Sequence, residues 1–163
     1  GAAGALLAGD ACAPRRERGF DLLASEAITW PDSLDVMGWE IAPPGLKVLF
    51  SRDIPTIVSE SARPSILNFL SAQKTALADV AMFLSHPGGA KVIAAYSEAL
   101  AIPEEKTKHM WNVLRDYGNM SSATVLFVLE EYLRSTDYRR GELVLSTTLG
   151  PGFSSEMILG KCR

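Results

Sequence analysis

Apolar positions along the chain come in short blocks, separated by glycine and proline, and the blocks have two different spacings. Ala81 to Leu84 is an unbroken apolar run that stops at Ser85-His86-Pro87-Gly88-Gly89, after which Ala90-Lys91-Val92-Ile93-Ala94-Ala95-Tyr96 takes up a helical period. This order predicts a buried strand, a tight turn and a helix reaching about Ala101. A restart at Ile102-Pro103-Glu104-Glu105 predicts a further helix, with its proline early and its acids in the first turn. Met110, Trp111, Val113, Leu114 and Tyr117 supply the buried face of that helix. Ala123 to Leu129 is apolar on nearly all sides and predicts a central, buried helix running to about Arg134, capped by Ser121 or Ser122.

Elsewhere the blocks read as strands. Residues 2–8 are small and apolar and fit a buried strand packed closely on a neighbour. Arg15 to Arg18 form a charged, solvated turn, and Phe20 to Trp30 a second strand. Val36–Ile41 and Gly45–Ser51 flank Ala42-Pro43-Pro44 as a hairpin-like pair, a meander on one side of a sheet. Pro55 opens a helix that Pro64 must kink or divide. Glu142–Thr148 and Ser154–Leu159 are closing strands around the rigid turn Leu149-Gly150-Pro151-Gly152-Phe153. There is no internal repeat, low-complexity segment or linker.

Two polar residues stand where chemistry would be expected. His86 lies where a strand runs out beside a helix N-terminus, the place where open α/β sheets put their sites. A histidine that merely caps a strand end in the core fits the spacing as well. Asn119, in Tyr117-Gly118-Asn119-Met120-Ser121-Ser122, sits at another turn before a helix. It reads as a turn residue or N-cap, or with His86 as the second neutral donor of an oxyanion hole.

Composition narrows the class. The 163 residues make one domain, and 47% hydrophobic content with 21% charged residues is enough for a core. A net charge of −3 argues against non-specific nucleic-acid binding. No apolar run approaches the roughly 20 residues that span a bilayer. Cys12 and Cys162 lie at opposite ends without metal-ligand spacing, so a reducing, cytoplasmic setting is expected. Gly1 to Asp10 reads as the middle of a domain, which predicts a chain that begins partway through a larger protein.

His86-Pro87-Gly88-Gly89, Gly118-Asn119-Met120-Ser121-Ser122 and Gly150-Pro151-Gly152 resemble the three C-terminal signatures of type III polyketide synthases, the chalcone synthase family, in order and spacing. Gly1-Ala2-Ala3 and the segment Gly45-Leu46 to Arg52-Asp53-Ile54-Pro55 resemble family segments too, so that the likeness covers essentially residues 1–163. It implies an α/β protein, the C-terminal half of a thiolase-like fold: a mixed five-stranded sheet with helices, one half of a five-layer α/β/α/β/α architecture. The family's nucleophilic cysteine belongs to the N-terminal half, and neither Cys12 nor Cys162 matches it.

The resemblance also implies an acyltransferase that condenses an acyl-CoA starter with malonyl-CoA by decarboxylative Claisen extension and cyclises the product. His86 and Asn119 match the oxyanion-hole pair, His86 also the partner of the nucleophilic thiol. Gly38, Val48, Phe50, Ser121, Leu149 and Pro151 match positions of the cyclisation cavity, and Gly88, Gly89, Ala90 and Lys91 match the coenzyme A-binding helix start. Core packing accounts equally well for the apolar positions, and a surface role for Lys91. Val48 stands where plant chalcone synthases carry a gatekeeper phenylalanine, which implies an aliphatic, long-chain starter and an alkylpyrone- or alkylresorcinol-type product of the bacterial kind. Coenzyme A thioesters enter as substrates, with no metal or other cofactor. The expected partners are the N-terminal half of the same enzyme and a second copy in a homodimer, with no nucleic acid and no membrane. A ketoacyl synthase III-like enzyme using carrier protein, and a non-catalytic isolated fragment, are the alternatives.

Overall fold

The structure, a computed structural model, describes residues 1–9, 11–12, 18–50 and 54–163, and for Val48, Phe50, Ile54 and Pro55 the backbone alone. Arg15, Arg16 and Glu17 of the predicted charged turn, and Arg52 and Asp53, lie outside the described residues. Among the described residues six strands form: β1 (Phe20–Thr29), β2 (Met37–Ala42), β3 (Gly45–Phe50), β4 (Val80–Phe83), β5 (Leu143–Gly150) and β6 (Ser154–Cys162). Five α-helical segments accompany them there: α1 (Ile54–Ile57), α2 (Arg63–Ala72), α3 (Ala90–Ala99), α4 (Lys108–Tyr117) and α5 (Ala123–Arg134).

The main sheet has the order β1-β6-β5-β4. β4 runs parallel to β5, and the other two pairings are antiparallel. The sheet is mixed, as expected, with four strands among the described residues rather than five. Residues 2–8 are not a strand. They are exposed, Leu6 at 94%, and no described strand offers them a ladder for their backbone N–H and C=O groups. The predicted hairpin forms as β2–β3, closed by the register pair Ala42↔Gly45. It is a separate two-stranded ribbon and not a meander of the main sheet.

The helical half of the core is built from Ile66, Phe69 and Leu70 of α2, Ile93 and Tyr96 of α3, Met110 and Val113 of α4, and Val128 and Tyr132 of α5. They meet Val80, Phe83, Val144, Leu145, Met157 and Leu159 from the sheet. On β6 burial alternates, with Met157 and Leu159 inside and Glu156 and Ile158 outside, so the sheet buries one face. Between α1 and α2 the chain takes one π-helical stretch, Val58–Ala62, where Arg63 N–H donates to the carbonyl of Val58. Pro64 then falls in the first turn of α2, where its missing N–H costs least.

Three expectations about helices are corrected. Tyr117 is 59% exposed, because α4 turns its buried stripe through His109, Met110 and Val113. Only one stripe of α5 (Thr124, Val128 and Tyr132) is fully buried. No serine hydroxyl caps α5. The Thr124 hydroxyl accepts from Met120 N–H at 2.8 Å, and the Asn119 amide oxygen accepts from Ser121 N–H at 2.8 Å. Arg18 is no free surface charge either. It donates to the carbonyls of Leu133 and Ser135 at the C-terminus of α5 and lies over the ring of Tyr138.

Candidate active site

His86 is held by the sheet. Beyond β4 the ladder to β5 continues, with Leu84 N–H donating to Leu145 C=O at 2.8 Å and His86 N–H to Thr147 C=O at 2.9 Å. Between them Ser85 is buried. Its hydroxyl accepts from Thr147 N–H at 3.1 Å and pairs with the Thr147 hydroxyl at 2.9 Å. The imidazole therefore starts from a fixed backbone. Burial pushes its pKa below the usual 6.5. Nδ1 is buried and has no hydrogen-bond partner among the described residues. A buried N–H without an acceptor is costlier than an unused lone pair, so the neutral ring carries its proton on Nε2.

Asn119 follows Gly118, whose φ of 70° suits a residue without Cβ. Its amide nitrogen donates to Gly88 C=O at 2.9 Å while its amide oxygen holds Ser121 N–H. One side chain thus ties the β4–α3 turn to the α4–α5 turn, and its second amide hydrogen has no acceptor among the described residues. Ser121 carries a left-handed backbone, φ 60°, at this junction.

These turns and the β2 ribbon surround a cleft of about 320 Å³. Of the residues expected from sequence, His86, Asn119, Gly38, Gly88, Ser121, Leu149 and Pro151 line it together. Met37, Trp39 and Val92 line it too and were not expected. Met37 and Trp39 flank the expected Gly38, and Val92 is one helical turn beyond Gly88; adjacency to the expected residues was their only sequence signal. Val48 and Phe50 are the register partners of Trp39 and Met37 on the ribbon, and their side chains lie outside the described residues. Gly89, Ala90 and Lys91 are not among the lining residues, and Lys91 is exposed at the start of α3. The cleft's polar groups are neutral donors in an otherwise apolar wall, an arrangement suited to binding a carbonyl oxygen that gains negative charge.

Neither cysteine belongs to this cleft. Cys12 is exposed, and Cys162 is buried with its thiol pKa pushed up by that burial, 3.5 Å from the Tyr132 hydroxyl. Among the described residues no group of three His, Cys, Asp or Glu could hold a metal ion, and no helix is long and apolar enough to cross a membrane.

Residues 21–162 match the family described as chalcone and stilbene synthases, C-terminal domain. A protein of Bacillus subtilis (strain 168), provisionally named a chalcone synthase, is 41% identical over 98% of this chain and 44% of its own length. The 1,3,6,8-tetrahydroxynaphthalene synthase of Streptomyces peucetius subsp. caesius is 33% identical over 96% of this chain and 42% of its own. The chain therefore spans less than half the length of these relatives. Among solved structures, a fungal type III polyketide synthase superposes with a TM-score of 0.76 at 28% identity, covering 88% of this chain and 41% of that one. The tetrahydroxynaphthalene synthase of Streptomyces coelicolor A3(2) superposes with 0.83 at 23% identity over 91% and 42%, a likeness of fold.

Proposed function

The chain belongs to the chalcone and stilbene synthase family as its C-terminal domain, and on that premise we propose that the protein carrying it is a decarboxylative condensing acyltransferase. It extends an acyl-CoA starter with malonyl-CoA and cyclises the product. The observation that carries this reading is the convergence of His86 and Asn119, two neutral donors from separate turns, on one largely apolar cleft.

The chemistry follows from where charge appears. Loss of CO2 from a malonyl thioester breaks a C–C bond and sends its electron pair toward the thioester oxygen. Nε2–H of His86 and the second amide hydrogen of Asn119 are the donors for that enolate oxygen, and neither carries a negative charge to repel it. The enolate carbon then attacks an acyl thioester held by a cysteine thiolate, which leaves as the new C–C bond forms. That cysteine is assigned to an N-terminal half, since Cys12 and Cys162 lie away from the cleft. The reading carries with it coenzyme A thioesters as substrates without a further cofactor, a homodimer, and a cytoplasmic setting.

In the full-length enzyme, His86→Ala should lower malonyl-CoA-dependent product formation by at least about 100-fold, the usual loss for an oxyanion donor. Product formation by the variant at the wild-type rate would refute the assignment. The starter is proposed to be aliphatic and long, with a pyrone- or resorcinol-type product, supported by the register of Val48 opposite the cleft-lining Trp39. Val48→Phe should then shift turnover toward shorter acyl-CoA starters. An unchanged chain-length profile would contradict it.

A further inference from the structure

Trp39 is a large apolar side chain at the rim of the candidate site. It lines the cleft that holds His86 and Asn119, yet 60% of it is open to solvent. The other two tryptophans are accounted for within the fold: Trp30 stacks on Phe153 at 5.4 Å, and Trp111 packs against the core. Trp39 sits on the β2–β3 ribbon, which pairs with no other described strand. Around it the cleft offers Met37, Val92, Leu149 and Pro151 as further apolar wall. An indole in such a position supplies a large, rigid apolar surface at small entropic cost.

We infer that Trp39 is a specificity-determining residue for the acyl chain: its indole is the wall against which the aliphatic part of an acyl thioester packs while the thioester oxygen meets His86 and Asn119. This rests on the acyl-CoA reading above. The packing contact sets the direction of the effect when the indole is removed. A long chain then loses its packing partner, and a two-carbon starter, too short to cover the indole, loses less. A substitution that only changed cavity volume would act the other way and favour longer chains.

The test compares kcat/KM for acetyl-CoA and lauroyl-CoA, each with malonyl-CoA, in the full-length wild type, Trp39→Ala and Trp39→Phe. The lauroyl-to-acetyl ratio should fall roughly tenfold in Trp39→Ala, chiefly through the lauroyl-CoA KM, and Trp39→Phe should restore most of it. A ratio that stays constant or rises overturns the inference. If Trp39→Ala does not fold, tryptophan emission decides: lauroyl-CoA should blue-shift it in the wild type and leave it unmoved in Trp39→Phe, and an equal shift in both overturns the inference. Wild-type enzyme that releases coenzyme A from neither starter overturns the acyl-CoA reading itself. Turnover with an unchanged ratio overturns only the role of Trp39.

Discussion

The two ring nitrogens of His86 live in different surroundings, and its chemistry depends on that difference. Nδ1 is enclosed without a partner among the described residues, and burial holds the pKa of the ring below its usual 6.5. Protonation would place an N–H where no acceptor waits among the described residues, so the neutral ring donates through Nε2. The same shift fixes a pH dependence. The unfolded chain takes up its proton near 6.5 and the folded chain only at lower pH, so below 6.5 the unfolded state binds more protons. The stability associated with neutral His86 is complete above that value and is lost as pH falls through the window beneath it. Full-length wild type should therefore lose stability relative to His86→Gln between about pH 7 and about pH 5. Denaturant midpoints of the two proteins that keep a constant separation across that range would contradict this. Sequence placed His86 at a strand end and Asn119 at a turn, since both signals are local. It could not show that Asn119 is tied to Gly88, which stands 31 positions earlier in the chain.

At the scale of elements, α4 and α5 are joined by a polar cluster that the apolar period gave no reason to expect. His109 is buried on α4, with Nδ1 contacting Glu131 of α5. Nε2 lies 3.3 Å from Asp137 without hydrogen-bond alignment, and Lys108 reaches the same carboxylate at 2.6 Å. Asn112 donates to the second oxygen of Glu131 at 2.9 Å, and the imidazole packs T-shaped with the ring of Tyr132. Lys108 and neighbouring Arg139 hold the carboxyl of Asp137 below the usual carboxylate range. His109→Ala would leave a cavity beside Tyr132 and two carboxylates facing it. Both carboxylates are 31% exposed, so water relieves part of that loss. A destabilisation of about 2–3 kcal/mol is expected, read as a fall in the urea midpoint at unchanged slope. A change under about 0.5 kcal/mol, the range of ordinary surface substitutions, would show that the cluster contributes nothing to joining the helices. The element boundaries themselves were largely legible: the glycines and prolines at Pro43-Pro44-Gly45, Pro87-Gly88-Gly89 and Gly150-Pro151-Gly152 punctuate ribbon, helix and hairpin where they stand.

For the whole molecule, the chain spans 44% of the length of its Bacillus relative, and its surface is apolar in several separate places. Leu22 and Ile158 on the open face of the sheet, and Ile41 and Leu46 on the ribbon, are all exposed. The sequence by itself determined the order of strands, turns and helices, the motifs that identify the family, and a shortlist of cleft residues. Each of these is written in neighbouring positions: hydrophobic period, turn chemistry, and short motifs at fixed spacing. The tertiary structure alone decided the order of strands in the main sheet, that residues 2–8 form no strand, that the hairpin stands apart as a ribbon, and that His109 is interior. It also brought Trp39 to the same cleft as Pro151, more than a hundred positions away. Pairing and burial depend on what the rest of the chain presents to a segment, and that is absent from the segment's own pattern.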